Sequence, residues 1–300
     1  IDEISFSSYS VHNITPRSSP DMVSYCVFTS GSTGTPKGVL VTQGNLLSNL
    51  DVLEELYPTT KDSRFLQSCS QAFDVSVFEI FFAWRIGGTI CSAVKDVLFR
   101  DIENAIRLFK VTHLSLTPTV AALIDSRNVP KVEFLVTAGE GVTSKVFNTW
   151  ADRGLWQGYG PSETTNICTV NPRVTKSDAI NNIGPPFKNT SAFVLAPGQN
   201  FALVPRGGIG EFCFGGSQVF RGYMDRSQEV GKIIEHPEYG RLYRSGDYGR
   251  LMPDGSLVFT GRKDDQVKIR GQRVELGEIN NIMLNSREIA DCITMVISNE

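Results

Sequence analysis

The sequence predicts an α/β protein, a layered α/β part followed by a β-rich part, and three observations carry that expectation. Up to about residue 170, short apolar runs of strand character alternate with stretches of helical periodicity. Beyond Asn171, proline and glycine become frequent and short alternating strands follow one another. At GRKDDQVKIRGQRVELGEIN the charge density rises abruptly, ahead of one last helix and strand. These shifts divide the chain into an α/β part over 1–170, a β-rich, barrel-like part over 171–262, and the start of a small α+β unit over 263–300.

In order, residues 23–28 read as a buried strand and 39–42 as a short second one. Leu46, Leu50, Leu53 and Leu56 then recur at helical spacing. A strand is expected over 65–69, a helix over 75–84 and a strand over 89–92. Asp101 opens a helix that turns Ile102, Ile106 and Phe109 inward. Residues 111–116 follow as strand, and Thr117-Pro118 starts a helix with a cap and a proline at its first position. Residues 134–138 are strand, and Thr143 caps the helix behind it. In the β-rich part, strands are expected over 192–195, 211–214, 249–252 and 257–260, the last two joined by the turn Pro253-Asp254-Gly255. A final strand is expected over 293–297.

Composition excludes several classes of function. Hydrophobic content of 41% and charged content of 20% are those of a soluble globular chain. A net charge of -3 without a basic run leaves no footprint for nucleic acid. The most apolar stretch, VSVFEIFFAWRI, is broken by Glu79 and Arg85, so no membrane span is expected. Ile1 opens nothing that resembles a signal peptide, and the missing initiator Met suggests a piece of a longer chain. Cys26, Cys69, Cys91, Cys168, Cys213 and Cys292 lie mostly in apolar runs and never in C-x-x-C spacing, which favours buried free thiols in a reducing, cytoplasmic setting over disulfides. His12, His113 and His236 stand apart from one another, leaving little support for a zinc site or a histidine triad.

FTSGSTGTPKGV, over 28–39, sets bare backbone beside one positive charge. Such loops present consecutive N–H groups that bind anions, phosphate above all. The Walker pattern G-x-x-x-x-G-K-[ST] fails here, because Pro36 takes the place of the second glycine and Gly38 follows the lysine where a hydroxyl is needed. A Ser/Gly-rich surface hairpin is the alternative. Asp74 interrupts the apolar stretch QAFDVSVFEIFF, and an acid buried there is costly without a cationic partner; a surface N-cap is the plainer reading.

Six stretches occur in one order: FTSGSTGTPKG, FDVS over 73–76, GYGPSE over 158–163, GEFCFGGSQVFRGY over 210–223, YRSGD over 243–247, and GRKDDQVKIRGQRVELGE over 261–278. From about Pro20 to the C-terminus they resemble the ANL superfamily of adenylate-forming enzymes, and within it the adenylation domains of nonribosomal peptide synthetases. The resemblance implies a partial ANL adenylate-forming fold: a layered α/β subdomain, a β-barrel-like subdomain and the start of a small α+β C-terminal subdomain. It also implies that an N-terminal portion and most of the C-terminal subdomain, with a lysine that contacts substrate, belong to the parent enzyme outside this stretch.

By that resemblance Ser30, Gly31, Thr33, Gly34 and Lys37 close over the β- and γ-phosphates of ATP, where preorganised donors stabilise the departing pyrophosphate. Gly139, Gln157 and Tyr159 face the nucleotide, Tyr159 by stacking on adenine; the family commonly has Asn where Gln157 stands. Glu163 holds Mg2+ and Thr164 reaches the α-phosphate, so Lys37, Glu163 and Thr164 are the implied catalytic group. Asp247 accepts from the ribose hydroxyls with help from Arg262, a task suited to a carboxylate. A Gly-Pro turn for GYGPSE and a strand end for YRSGD are the plainer readings. Asp264 is the implied hinge between adenylation and thioester formation, or else part of a solvated linker, and Gly271 lies near the phosphopantetheine arm of a carrier domain.

The resemblance further pairs Asp74 with the α-ammonium of an amino acid, and forms the pocket wall from Val75, Phe78, Ser115, Val136, Ala138, Gly158, Asn166 and Ile167. Small Ala138 and Gly158 leave depth there, while Ser115 and Asn166 offer polar contacts, which favours a long substrate with a polar far end. VTHLSLTPTVAALID, VPKVEFLVTAGE, QGYGPSETTNICTV and INNIGPPFKNTSAFVL resemble fungal hydroxamate siderophore synthetases of the ferrichrome type. That implies N5-acyl-N5-hydroxyornithine as substrate, with serine or glycine as other options, and carrier and condensation domains as partners. An acyl-CoA or aryl-acid ligase, and a non-catalytic nucleotide-binding or scaffold remnant, are the other readings.

Overall fold

The computed structural model describes residues 18–30, 35–198, 201–263, 266–269, 272–284, 288–289 and 291–297. Gly31, Thr33, Gly34, Asp264 and Gly271 lie outside the described residues.

β1 (Val23–Thr29) and β2 (Lys37–Thr42) pair antiparallel, with Thr29 opposite Lys37. α1 (Gln43–Leu56) starts on a capping box in which Thr42 Oγ1 accepts from the Asn45 amide and Asn45 Oδ1 accepts from the Thr42 amide. The helix buries Leu46, Leu50 and Leu53, as their spacing predicts. β3 (Arg64–Gln67) leads through a loop into α2 (Asp74–Val77), which runs on into a π-helical turn, Phe78–Phe82, and α3 (Ala83–Arg85). The one helix expected over 75–84 thus carries a wider turn, from which Phe78, Glu79 and Phe82 all face inward.

β4 (Thr89–Ser92), α4 (Lys95–Arg100), α5 (Ile102–Phe109), β5 (His113–Leu116), α6 (Pro118–Ala121), β6 (Phe134–Thr137), α7 (Ser144–Trp150), β7 (Leu155–Tyr159) and β8 (Thr169–Asn171) complete the alternation. Asp101 and Thr143 cap α5 and α7 as expected. Thr117 does not cap α6: its hydroxyl is buried without a partner among the described residues, and Glu140 takes the Thr119 amide and hydroxyl instead. Among the described residues the sheet order is β4-β3-β5-β6-β7-β8, parallel throughout except for the antiparallel pair β7 and β8. Ile106, Leu114 and Trp150 share one core, while Leu53, Phe65, Phe82 and Trp156 share another that includes Val136.

Next come β9 (Asn182–Gly184), β10 (Thr190–Leu195), β11 (Gly210–Gly216), β12 (Gly222–Tyr223), β13 (Ile233–His236), β14 (Gly240–Leu251) and β15 (Leu257–Arg262). An antiparallel sheet runs β10-β11-β14-β15-β9, with β13 also on β14. β12 pairs instead with β2, Gly222 opposite Leu40 and Tyr223 opposite Val39. The compositional boundary near residue 171 is therefore crossed in space, because a strand from after it completes the sheet of the opening hairpin. Both parts meet in a core that holds Val39, Tyr159, Phe212, Phe220 and Tyr243.

β16 (Gln266–Ile269) and β17 (Gln272–Glu275) form a hairpin ahead of α8 (Leu276–Leu284). The final strand expected over 293–297 does not form: the Thr294 amide bonds to Asn280 Oδ1, and Ile293 is 81% exposed. None of the cysteines is in a disulfide; Cys91, Cys168 and Cys213 are buried, whereas Cys26 is exposed, against expectation. No helix among the described residues is long and apolar enough to cross a membrane.

Candidate active site

A crevice of about 490 Å³ opens at the carboxyl ends of the parallel strands. Its floor comes from the loops after β3 (Ser68, Cys69, Ser70), β5 (Thr117), β6 (Ala138, Gly139) and β7 (Gly160, Pro161, Ser162). Val27 to Ser30 at the end of β1, Asp247 and Arg262 on β14 and β15, and Gln266 and Lys268 on β16 close it from other sides. This is where parallel α/β sheets place ligands, because strand ends and helix starts leave amides and side chains free to converge there.

Asp74 lies on the crevice wall at the first turn of α2, where Phe73, not Asp74, is the N-cap residue. Burial raises its pKa above the ordinary value of 3.8; a hydrogen bond from Ser162 opposes that, the nearby Glu163 adds to it, and the Lys268 charge and the Val75 amide oppose it again. Desolvation dominates, so the anionic form is short of compensating charge. A cation entering the crevice relieves that deficit.

The Asp247 carboxylate, also on the crevice, is buried. Arg262 Nη1 donates to its Oδ1 at 2.6 Å and Tyr159 Oη donates to its Oδ2 at 2.5 Å. Each oxygen keeps a further lone-pair direction, so the group can still accept from ligand hydroxyls. Burial, then the Asp247 charge, push the Tyr159 phenol well above its usual range, so it stays a donor. Its ring is 8% exposed and packs against Phe212, Phe214 and Phe259. Tyr159 is thus largely buried and meets the crevice through its hydrogen bond to Asp247.

Four other expected nucleotide contacts also face inward. In the 3-10 turn Ser162–Thr164, successive side chains diverge. Ser162 enters the crevice, Glu163 is 0% exposed and accepts from Tyr223 Oη at 2.7 Å, and Thr164 folds back to donate to the Pro161 carbonyl. Lys37 is buried with its ammonium 5.7 Å from the centre of the Tyr223 ring. Gln157 donates to the Ile180 carbonyl and does not line the crevice.

Of the expected pocket wall, Asp74, Val75, Ser115 and Ala138 line the crevice. Phe78, Val136, Gly158, Asn166 and Ile167 do not. Gly158 leaves no depth, since a Cβ there meets Ile167 at 3.2 Å and Val136 at 3.4 Å. Phe78 stacks on Phe82 in the core. Sequence reasoning missed Ser162, whose signal lay in GYGPSE itself, and Lys268, which β16 brings to the Asp74 side although 194 positions separate the two residues in the numbering.

Nucleotide chemistry fits the mix of donors and acceptor: Ser30, the Gly139 and Gly160 backbones, Arg262 and the accepting Asp247 carboxylate surround one space. For magnesium the expected ligand is Glu163, and an ion held by one carboxylate together with substrate phosphates needs no cluster of protein ligands. Glu163 is enclosed and tied to Tyr223, and among the described residues no three His, Cys, Asp or Glu gather as ligands.

The fold is that of the adenylate-forming enzymes, in part. The Vibrio cholerae adenylation domain AlmE, solved in complex with glycyl-adenosine-5'-phosphate, superposes with a TM-score of 0.80 at 27% identity, over 90% of this chain and 53% of that one. The chain belongs to the AMP-binding enzyme family, whose model matches residues 3–224. It is 63% identical over 297 residues to nonribosomal peptide synthetase 2 of Cochliobolus heterostrophus, a match that covers 99% of this chain and 6% of that one. To the hydroxamate-type ferrichrome siderophore peptide synthetase of Schizosaccharomyces pombe it is 38% identical over 272 residues, 89% of this chain and 6% of that one. The chain thus spans a small fraction of these relatives' length.

Proposed function

We propose that the protein activates an amino acid with ATP, giving an aminoacyl adenylate and pyrophosphate, and passes the acyl group to the phosphopantetheine thiol of a carrier domain as a thioester, with release of AMP, in nonribosomal peptide synthesis. The observation that carries this reading is the presence, on one crevice, of a desolvated Asp74 and of the Asp247–Arg262 pair. Asp74 holds the α-ammonium. Asp247, steadied by Arg262 and Tyr159, accepts from the ribose hydroxyls. The substrate carboxylate then attacks the α-phosphorus in line, a phosphorus–oxygen bond forms, and the bond to pyrophosphate breaks. No protein nucleophile takes part: the chain supplies alignment and charge stabilisation. Ser162 begins the turn that carries Glu163 and hydrogen-bonds Asp74, a place from which its hydroxyl serves the reacting end of the substrate.

The substrate class in this reading is an amino acid with a polar far end, N5-acyl-N5-hydroxyornithine first. The likeness to a ferrichrome-type synthetase and the Ser115 hydroxyl on the crevice wall support it. ATP–pyrophosphate exchange across an amino-acid panel that includes hydroxyornithine derivatives tests the reading. Exchange with amino acids supports it; exchange with fatty or aryl acids alone, or tight ATP binding without exchange, overturns it.

A further inference from the structure

Glu79 lies outside the crevice lining and is 1% exposed, yet it carries a carboxylate into the interior. It accepts from the Ser68 amide at 3.2 Å, the Ser68 hydroxyl at 3.2 Å, the Cys69 amide at 3.1 Å and Gln67 Nε2 at 3.4 Å. None of the described ion pairs includes it. We infer that Glu79 is a positioning residue for amino-acid recognition, which clamps the backbone of residues 68–69 to the helix carrying Asp74 and so holds the crevice wall over 68–74 as one closed loop. The inference rests on the reading of the site proposed above.

Glu79 closes the loop opposite the end where Asp74 begins its helix. Ser68, Cys69, Ser70, Phe73 and Asp74 line the crevice, so the clamped segment is the wall itself. Within it, the Phe73 amide bonds to the Ser70 carbonyl at 2.9 Å and the Ser76 amide to the Phe73 carbonyl at 3.1 Å. The Gln67 side-chain amide spans the strand end, donating to the Cys69 carbonyl at 2.7 Å as well as to Glu79. Only an ionised carboxylate has acceptor capacity for this many donors. An apolar residue at position 79 leaves the Ser68 and Cys69 amides without that partner, and a neutral amide sets its own N–H groups against them.

Such a clamp is costly. Burial lifts the Glu79 pKa from 4.5 to about 7 even with four donors opposing it, and among the described residues no ion pair compensates the charge. A group that burdens the core in this way, on the π-helical turn that lets it face inward, is expected where site geometry outweighs stability. The nucleotide side of the crevice, at Asp247 and Arg262, belongs to other strands and does not depend on the clamp.

The test is steady-state exchange kinetics in the full-length protein. E79Q is expected to raise the amino-acid KM about tenfold or more while the ATP KM stays within about twofold, and E79D, which keeps the charge on a shorter arm, is expected to fall between E79Q and wild type. An unchanged amino-acid KM, or equal rises for amino acid and ATP, overturns the inference. Should E79Q fail to fold, residue-resolved hydrogen exchange on the wild type decides: Ser68 and Cys69 amides as protected as those of β3 support the clamp, and open-loop exchange rates refute it. Wild-type protein without amino-acid-dependent exchange defeats the reading of the site as well; normal wild-type exchange with an indifferent E79Q defeats the clamp alone.

Discussion

In the proposed reading, Asp74 is the residue on which substrate class turns. Because burial raises its pKa, the anion that a substrate ammonium needs is lost as pH falls through that raised value. Amino-acid affinity is therefore expected to weaken toward acidic pH, and an Asp74→Ala variant is expected to lose about tenfold or more in amino-acid KM with ATP KM changed by less than about threefold. Exchange kinetics over a pH series measure both. Asp247→Ala is expected to show the converse, a higher ATP KM with the amino-acid KM little changed, because its partners Arg262 and Tyr159 lie on the nucleotide side. Asp74 was legible in the sequence as an acid in an apolar stretch. Glu163 and Thr164 were legible only as a motif, since which side of a tight turn faces the crevice depends on turn geometry that residue types do not fix.

At the scale of elements, local signals were readable wherever a single segment decides its own conformation. Asp101 and Thr143 satisfy helix-start amides through their side chains as expected, and Thr42 with Asn45 does the same where no cap had been expected. Thr42→Ala is expected to cost about 1 kcal/mol, seen as a lower urea midpoint with an unchanged slope. Thr117 carried the same signal and does not act on it, because Glu140, distant in sequence, supplies the acceptor. The π-helical turn at Phe78–Phe82 was likewise hidden, since apolar spacing alone does not separate it from an α-helix, and Gly158 gave an impression of depth that Ile167 fills.

For the whole molecule, the alternation of strands and helices foretold the parallel sheet, but not that β12 returns to complete the sheet of the opening hairpin. Pairings of that range are set by packing of the assembled parts. Global stability should also carry the imprint of Glu79. Its folded pKa of about 7 exceeds the ordinary 4.5, so the native state binds the extra proton between those values, and stability falls as pH rises through them. The difference reaches about 3 kcal/mol at most. The adjacent Cys69 thiol, pushed up to about 12, stays protonated throughout and adds nothing to the slope. Between about pH 5 and pH 8 the change of denaturant midpoint with rising pH is expected to be more unfavourable in the wild type than in E79Q, the difference being the Glu79 contribution.

The direct test of the central claim compares an amino acid with its des-amino analogue, the same carboxylic acid lacking only the α-amino group, in ATP–pyrophosphate exchange by the full-length protein. The account predicts exchange with the amino acid and essentially none with the analogue, because the analogue brings Asp74 no ammonium to pair with. Equal exchange with both would contradict it.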